Sequence, residues 1–136
     1  MMNKMVLTGA GVVGAGLGIR NQIKAKEYDP QASTDPKSML SNGAITAATY
    51  VGYAAGATKL IESVITKKPP NLAAMGFGAS IGAIEGFIGQ QQAQLYDKNA
   101  DDSIGAYAKN MLRGSINGAL LGVGASGIAS DLVFRK

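Results

Sequence analysis

The chain has 136 residues, a net charge of +4 and no Cys or His. Without these two residue types it has no disulfide, no zinc site of the usual ligands and no His-based catalytic triad. Only nine Asp and Glu are present, mostly in predicted loops, so we expect a non-enzymatic protein of one module, without a metal or another cofactor.

Four apolar, glycine-rich segments alternate along the chain with polar breaks, and all four prolines fall in those breaks. This pattern predicts an all-α fold with helices at about residues 5–27, 38–65, 72–96 and 103–134. Asn71 is suited to cap the third helix, and Asp102 or Ser103 the fourth. The dominance of Ala, Gly, Leu and Met and the period of four argue against strands.

The second half of the chain repeats the first. Seven residues recur 68 positions later, namely Gly14, Ala15, Gly18, Gln22, Ala25, Tyr28 and Asp29. Further matches pair Lys37–Leu40 with Lys109–Leu112 and Asn42-Gly43 with Asn117-Gly118, which indicates that the offset grows from 68 to 75 through extra loop residues. The tandem repeat predicts two helical hairpins, residues 1–68 and residues 69–136.

Small residues recur at every fourth position in each segment, although Gly costs about 1 kcal/mol relative to Ala inside a helix. Positions four apart share one face of a helix, so each segment presents a smooth stripe that lets another backbone approach closely, as in a glycine zipper. We expect these stripes to pack helices and to drive self-association into a homo-oligomer. The predicted packing residues are Gly14, Gly18, Gly52, Gly56, Gly78, Gly82, Gly86, Gly114, Gly118 and Gly122.

Polar residues inside the second repeat have two interpretations. Glu85 falls opposite Arg113 in an antiparallel hairpin, and the first repeat has neither charge, so we predict a structural ion pair, with a pore-lining role as the alternative. Gln90-Gln91-Gln92 is interpreted as a solvated helix extension, with a polar channel wall as the alternative.

Several segments reach the length needed to cross a bilayer, roughly 20 residues. Met39–Thr58 is long enough and uncharged, and Gly114–Ser130 is uncharged but shorter. Leu72–Gly89 is long enough but contains Glu85. Membrane association is the leading interpretation, and a soluble, self-associating helical protein is the alternative.

The glycine-rich stretches Gly9–Gly18 and Gly76–Gly89 resemble those of the small Gly/Ala-rich virion proteins that short-tailed bacteriophages eject with their DNA. The resemblance implies a viral structural protein that oligomerises, contacts other virion proteins and contributes to a DNA-ejection conduit. It also implies residence first in the virion and then in the host cell envelope membrane, with non-specific contact to the DNA backbone. Two alternatives remain, a holin-like pore-forming membrane protein and a viral coat or scaffold protein that tiles through its helical hairpins.

Overall fold

The computed structural model describes residues 3–133, which form four helices and no strand. The helices are α1 (Lys4–Tyr28), α2 (Pro36–Thr66), α3 (Leu72–Tyr96) and α4 (Ile104–Val133). The predicted all-α fold is confirmed. The predicted end of the last helix, Phe134, lies outside the described residues.

The chain divides into two compact units, one up to Ala54 and one from Ala55 onward. The first unit contains α1 and the first part of α2. The second unit contains the rest of α2 together with α3 and α4. The predicted division at residues 68 and 69 follows the repeat, whereas these units follow the helix contacts.

Three helix bounds recur at a spacing of 68 residues, namely the start and end of the first helix of each copy and the start of the second. α1 and α3 both have 25 residues, and α2 and α4 begin at Pro36 and Ile104. The expectation that the offset grows along the chain is therefore wrong, and Asn42 corresponds to Asn110 rather than Asn117. Shifts of four and seven residues are about one and two helical turns. They leave the same residues on the same face, so the glycine periodicity alone could not distinguish them.

The helix ends are also built in the same way in both copies. Asn3 caps α1 through the N–H of Met5, and Asn71 caps α3 through the N–H of Ala74, as predicted for Asn71. An Asp directly follows each of these helices, Asp29 after α1 and Asp97 after α3. Its N–H donates to the carbonyl four residues earlier at 2.8 Å. The two repeats therefore share one plan for starting and ending the first helix.

The second helix of each copy also begins with a cap. Ser103 caps α4 by accepting the N–H of Ala106 at 3.2 Å, as predicted. Asp35 occupies the equivalent position before α2 and accepts the N–H of Ser38 at 2.8 Å. The cap at Asp35 was not predicted because Pro36 was interpreted as part of the break, although Pro is well suited to the first turn of a helix.

The glycine stripes of α3 and α4 face each other inside the second hairpin. Gly78 lies against Gly118 and Gly122, Gly82 against Gly114 and Gly118, and Gly86 against the backbone of Asn110. A Cβ added at any of these glycines would overlap the backbone of the opposite helix. The two helices therefore pack backbone to backbone in an antiparallel hairpin, as the small-residue spacing predicts.

Close packing also joins α1 and α2 in the first unit. A Cβ at Gly14 would lie 2.7 Å from the carbonyl oxygen of Thr46 and 2.8 Å from the Cα of Ala47, and Gly18 lies equally close to the backbone of Asn42. Gly14 and Gly18 are both buried. The same two positions of the repeat, 14 and 18 or 82 and 86, therefore make the hairpin contact in both copies.

The stripe of α2 extends beyond its own hairpin. Gly52 is buried, and Gly56 lies against the backbone of Leu120 in α4, within the second unit. Next to this contact are Ala55 and Val123, the apolar residues buried to 1% exposure or less in the described chain. Further along, the Lys59 side chain lies across Gly127, where a Cβ would be 2.8 Å from its Cγ.

Lys59 also makes two ion pairs in the second unit, one of which joins α2 to α4. Its ammonium lies 3.1 Å from Glu62 in the same helix and 3.5 Å from Asp131 in α4. Because the groups are partly exposed, we expect them to contribute little to stability individually. The Lys59–Asp131 pair brings this turn of α2 to the end of α4.

Candidate membrane-contacting surface

Large apolar side chains lie on the outside of α3 and α4. In α3 the exposed fractions are 71% for Phe77 and 60% for Ile84, and the neighbouring Ile81 and Ile88 are also exposed. In α4 the exposed apolar residues are Ile104, Met111, Leu112, Ile116, Leu132 and Val133. A hairpin that contributes its glycines to the interior and its largest side chains to the surroundings has the opposite arrangement to a water-soluble bundle.

The length and composition of these two helices suit a bilayer. α3 and α4 are the helices among the described residues that are long and apolar enough to cross a membrane. At 1.5 Å per residue, the 25 residues of α3 span about 37 Å, more than the roughly 30 Å hydrocarbon core. Only 6% of the most apolar window of α3 is buried, and 22% of that of α4. Burial within the chain therefore does not account for their apolar character.

Five of the exposed apolar residues of α3 form a regular stripe, which we call the outer stripe: Phe77, Ile81, Ile84, Ile88 and Leu95, with Gln91 in the remaining position. Their spacing alternates between four and three residues, the pattern of the contact positions in helices that pair along their length. The outer stripe is separate from the glycine stripe, which is already covered by α4. It is the surface of α3 that remains available to lipid or to another helix.

The first repeat keeps only part of the outer stripe, since Val13, at the position of Ile81, is exposed as well. The residues of α1 that correspond to Phe77, Ile84 and Ile88 are glycine at positions 9 and 16 and arginine at position 20. α1 and α2 are not among the helices apolar enough to cross a membrane. Met39–Thr58, predicted to be long enough to span, contains Thr, Asn, Ser and Gly, which lower its apolar character. The two copies thus keep one backbone plan but differ in the surface that they present.

Each hairpin is fastened at its loop by an amide clamp that was not predicted from the sequence. In the first hairpin Asn42 donates to the side-chain oxygen of Gln22, whose amide donates to the carbonyl of Ser33. In the second, Asn110 donates to Gln90, whose amide donates to the carbonyl of Asp101. Each of the three residues in the first clamp lies 68 positions before its counterpart in the second clamp. Gln22 and Gln90 were visible in the repeat, but the wrong offset concealed their asparagine partners.

The Gln tract of the second repeat therefore has two parts. Gln90 is only 5% exposed and belongs to the clamp, so its interpretation as part of a solvated extension is wrong. Gln91 and Gln92 are exposed. Two residues beyond them, Gln94 accepts a hydrogen bond from the Tyr107 hydroxyl at 3.0 Å, and the Tyr107 ring packs against Phe87.

Glu85 and Arg113 line the same open cleft of the second hairpin, together with Asn110 and Asn117. Both charged side chains are exposed. The Glu85 carboxylate and the Arg113 guanidinium do not form an ion pair, unlike Lys59 with Glu62 and Asp131. The structure brings the two residues to one cleft without joining them. Their pairing stays a prediction.

No cluster of three or more acidic residues that could hold a metal ion occurs among residues 3–133. The polar features of the site are the two amide clamps and the Glu85 cleft, and its dominant feature is the exposed apolar surface of α3 and α4. Comparison with family models, with curated proteins and with solved structures gave no match for this chain.

Proposed function

We propose that this protein is a non-enzymatic viral structural protein whose second hairpin enters a membrane, where copies assemble and contribute to a conduit for DNA ejection. The observation that carries the proposal is the arrangement of α3 and α4, with glycines packed inside and large apolar residues outside. In lipid, apolar side chains can face outward at no cost while the helices satisfy their own backbone hydrogen bonds.

Assembly of copies is assigned to the outer stripe of α3. The glycine stripes of α3 and α4 are occupied within the hairpin, so they are not open to a second molecule. The outer stripe has the spacing of a helix-pairing surface, and its polar position, Gln91, is of the kind that fixes register between helices. The proposed homo-oligomer therefore forms between hairpins that are already closed.

The virion role follows from the resemblance of the glycine-rich stretches, and it sets the localisation in the particle and then in the host cell envelope. Other virion proteins are the proposed partners, with non-specific contact to the DNA backbone during passage. A coat or scaffold protein is the second candidate, because the same outer stripe would also be covered if copies tiled against each other in water.

Dye release from phospholipid vesicles tests the proposed conduit. We expect the purified protein to release a trapped dye and to run as a discrete oligomer in mild detergent. An Ile84→Gln/Ile88→Gln variant should release much less dye, because it places amides in the outer stripe. The matched control is Gln92→Ala, at an exposed position of α3 that already carries an amide, and it should leave release unchanged.

Each alternative predicts a different result. No release, from a protein that stays soluble and helical without detergent, would contradict the conduit and favour the coat or scaffold function. Killing of cells when the protein is expressed alone, together with its absence from purified particles, would favour the holin-like function.

A further inference from the structure

Four cations surround the loop end of the first hairpin. Arg20, Lys24 and Lys26 lie on the last turns of α1, and Lys37 lies on the first turn of α2. All four side chains are exposed, and none forms an ion pair with another described residue. The Lys26 ammonium donates a long hydrogen bond, 3.4 Å, to the hydroxyl of Thr34. Their charge is therefore directed at the surroundings, and we call these four residues the basic end.

The second hairpin builds the same loop without these charges. At a spacing of 68 residues, the basic end is replaced by Ile88, Gln92, Gln94 and Gly105. Five residues of the loop and the adjoining helix turns are nevertheless identical in the two copies: Gln22 and Gln90, Tyr28 and Tyr96, Asp29 and Asp97, Ala32 and Ala100, Asn42 and Asn110. Because the second copy folds this loop with uncharged residues at these four positions, the cations of the first copy are not required for its fold.

Acidic residues are also present, but two of them are engaged by the loop itself. The Asp29 carboxylate accepts the N–H of Gln31 at 2.9 Å, and Asp35 accepts the N–H of Ser38 at 2.8 Å. The Ser33 hydroxyl, followed by the Ser38 N–H, holds the pKa of Asp35 below its ordinary value. Including Glu27, residues 20–37 have four cations and three anions, whereas residues 88–105 have one cation and three anions. The first loop is thus net positive and the second net negative.

We propose that the basic end binds the phosphate groups of anionic lipid headgroups. This rests on the proposed membrane insertion of the second hairpin, which brings the rest of the chain to a phospholipid surface. Long cationic side chains near such a surface gain affinity from its negative potential, about fivefold for each Lys or Arg at ordinary ionic strength. Lys37 also borders a polar cleft in which the Ser41 hydroxyl is a further donor for a phosphate oxygen. One copy would then enter the lipid while the other holds its headgroups.

The second copy supplies the substitutions for the test. A Lys24→Gln/Lys26→Gln variant carries the residues that the second hairpin has at the same positions, so it is expected to fold. Lys67→Gln/Lys68→Gln removes the same charge from the α2–α3 linker and serves as the matched control. Binding is measured by flotation with phosphatidylcholine vesicles, with and without phosphatidylglycerol, at several salt concentrations.

We expect the Lys24→Gln/Lys26→Gln variant to lose about 25-fold of its preference for anionic vesicles at low salt, from two cations at about fivefold each. Its binding to neutral vesicles should equal that of the unaltered protein, and the linker variant should lose less. The difference between the variants should shrink as salt is added, because screening weakens attraction to the surface.

Three results would overturn the proposal. Unchanged anionic binding of Lys24→Gln/Lys26→Gln would remove the basic end as the contact. Equal losses in both variants would show that net charge alone is responsible. Tighter binding to a short DNA duplex than to anionic vesicles, lost in the same variant, would assign the basic end to nucleic acid. Binding to neutral vesicles is a separate readout, and its absence in every variant would instead contradict the insertion of the second hairpin.

Discussion

Replacing Gly82 with alanine should destabilise the second hairpin, whereas replacing Gly89 with alanine should not. Both residues lie in α3, and alanine at either position gains about 1 kcal/mol of helix propensity. A Cβ at Gly82 would overlap the carbonyl oxygen of Gly114, which is backbone and cannot rotate away. A Cβ at Gly89 would meet nothing within 4 Å.

We expect the two changes to have opposite signs. Gly89→Ala should stabilise by up to about 1 kcal/mol, while Gly82→Ala should cost on the order of 1–3 kcal/mol because the helices must separate. Gly82→Leu should prevent the hairpin from closing. Thermal unfolding followed by circular dichroism in mild detergent measures all three variants. Equal effects of the two alanine substitutions would show that α3 and α4 do not pack through this stripe.

The second large effect is expected from a charge in the outer stripe. Ile84 lies near the middle of α3 and is 60% exposed, so in an inserted hairpin it lies at the depth of the bilayer centre, against lipid or against the outer stripe of another copy. Lysine at the centre of a membrane helix costs about 3 kcal/mol relative to an apolar residue. Ile84→Lys should therefore lower binding to neutral vesicles by about two orders of magnitude, as measured by flotation.

The matched control is Gly16→Lys, at the equivalent position of α1. Gly16 has open space around it, and α1 is not a candidate for crossing a membrane. We expect this variant to bind neutral vesicles as the unaltered protein does. A comparable loss from both lysine substitutions would indicate that the second hairpin has no special relation to lipid.

The helices and their packing residues were accessible from the sequence because they depend on local periodicity. Prolines and polar runs separate the segments, and four-residue spacing identifies Gly82 and Gly118 as contacts whatever their partner is. The partner itself depends on register, and a slide of one or two turns keeps the same face. For that reason the repeat offset was predicted wrongly, and with it the relation between Asn42 and Asn110.

The remaining features depend on contacts between distant residues. The burial of Gln90 requires the loop carbonyl of Asp101 as well as the side chain of Asn110, and no local pattern brings these three together. Gly56 has the spacing of a hairpin contact, yet it packs on Leu120 of another helix. Likewise, the outward position of Phe77 and Ile84 becomes visible only when the glycine face of α3 is known to be covered.

The depth of the second hairpin in a bilayer tests the central claim most directly. The chain has no cysteine, so the single-cysteine variants Ile84→Cys, Ile116→Cys and Asn99→Cys can each carry one fluorescent probe in vesicles that contain lipids with nitroxide-labelled acyl chains. We predict strong quenching of the probes at positions 84 and 116, which lie on the exposed faces of α3 and α4, and weak quenching at position 99 in the loop. Equal, weak quenching at all three positions, with the protein bound to the vesicles, would contradict an inserted hairpin.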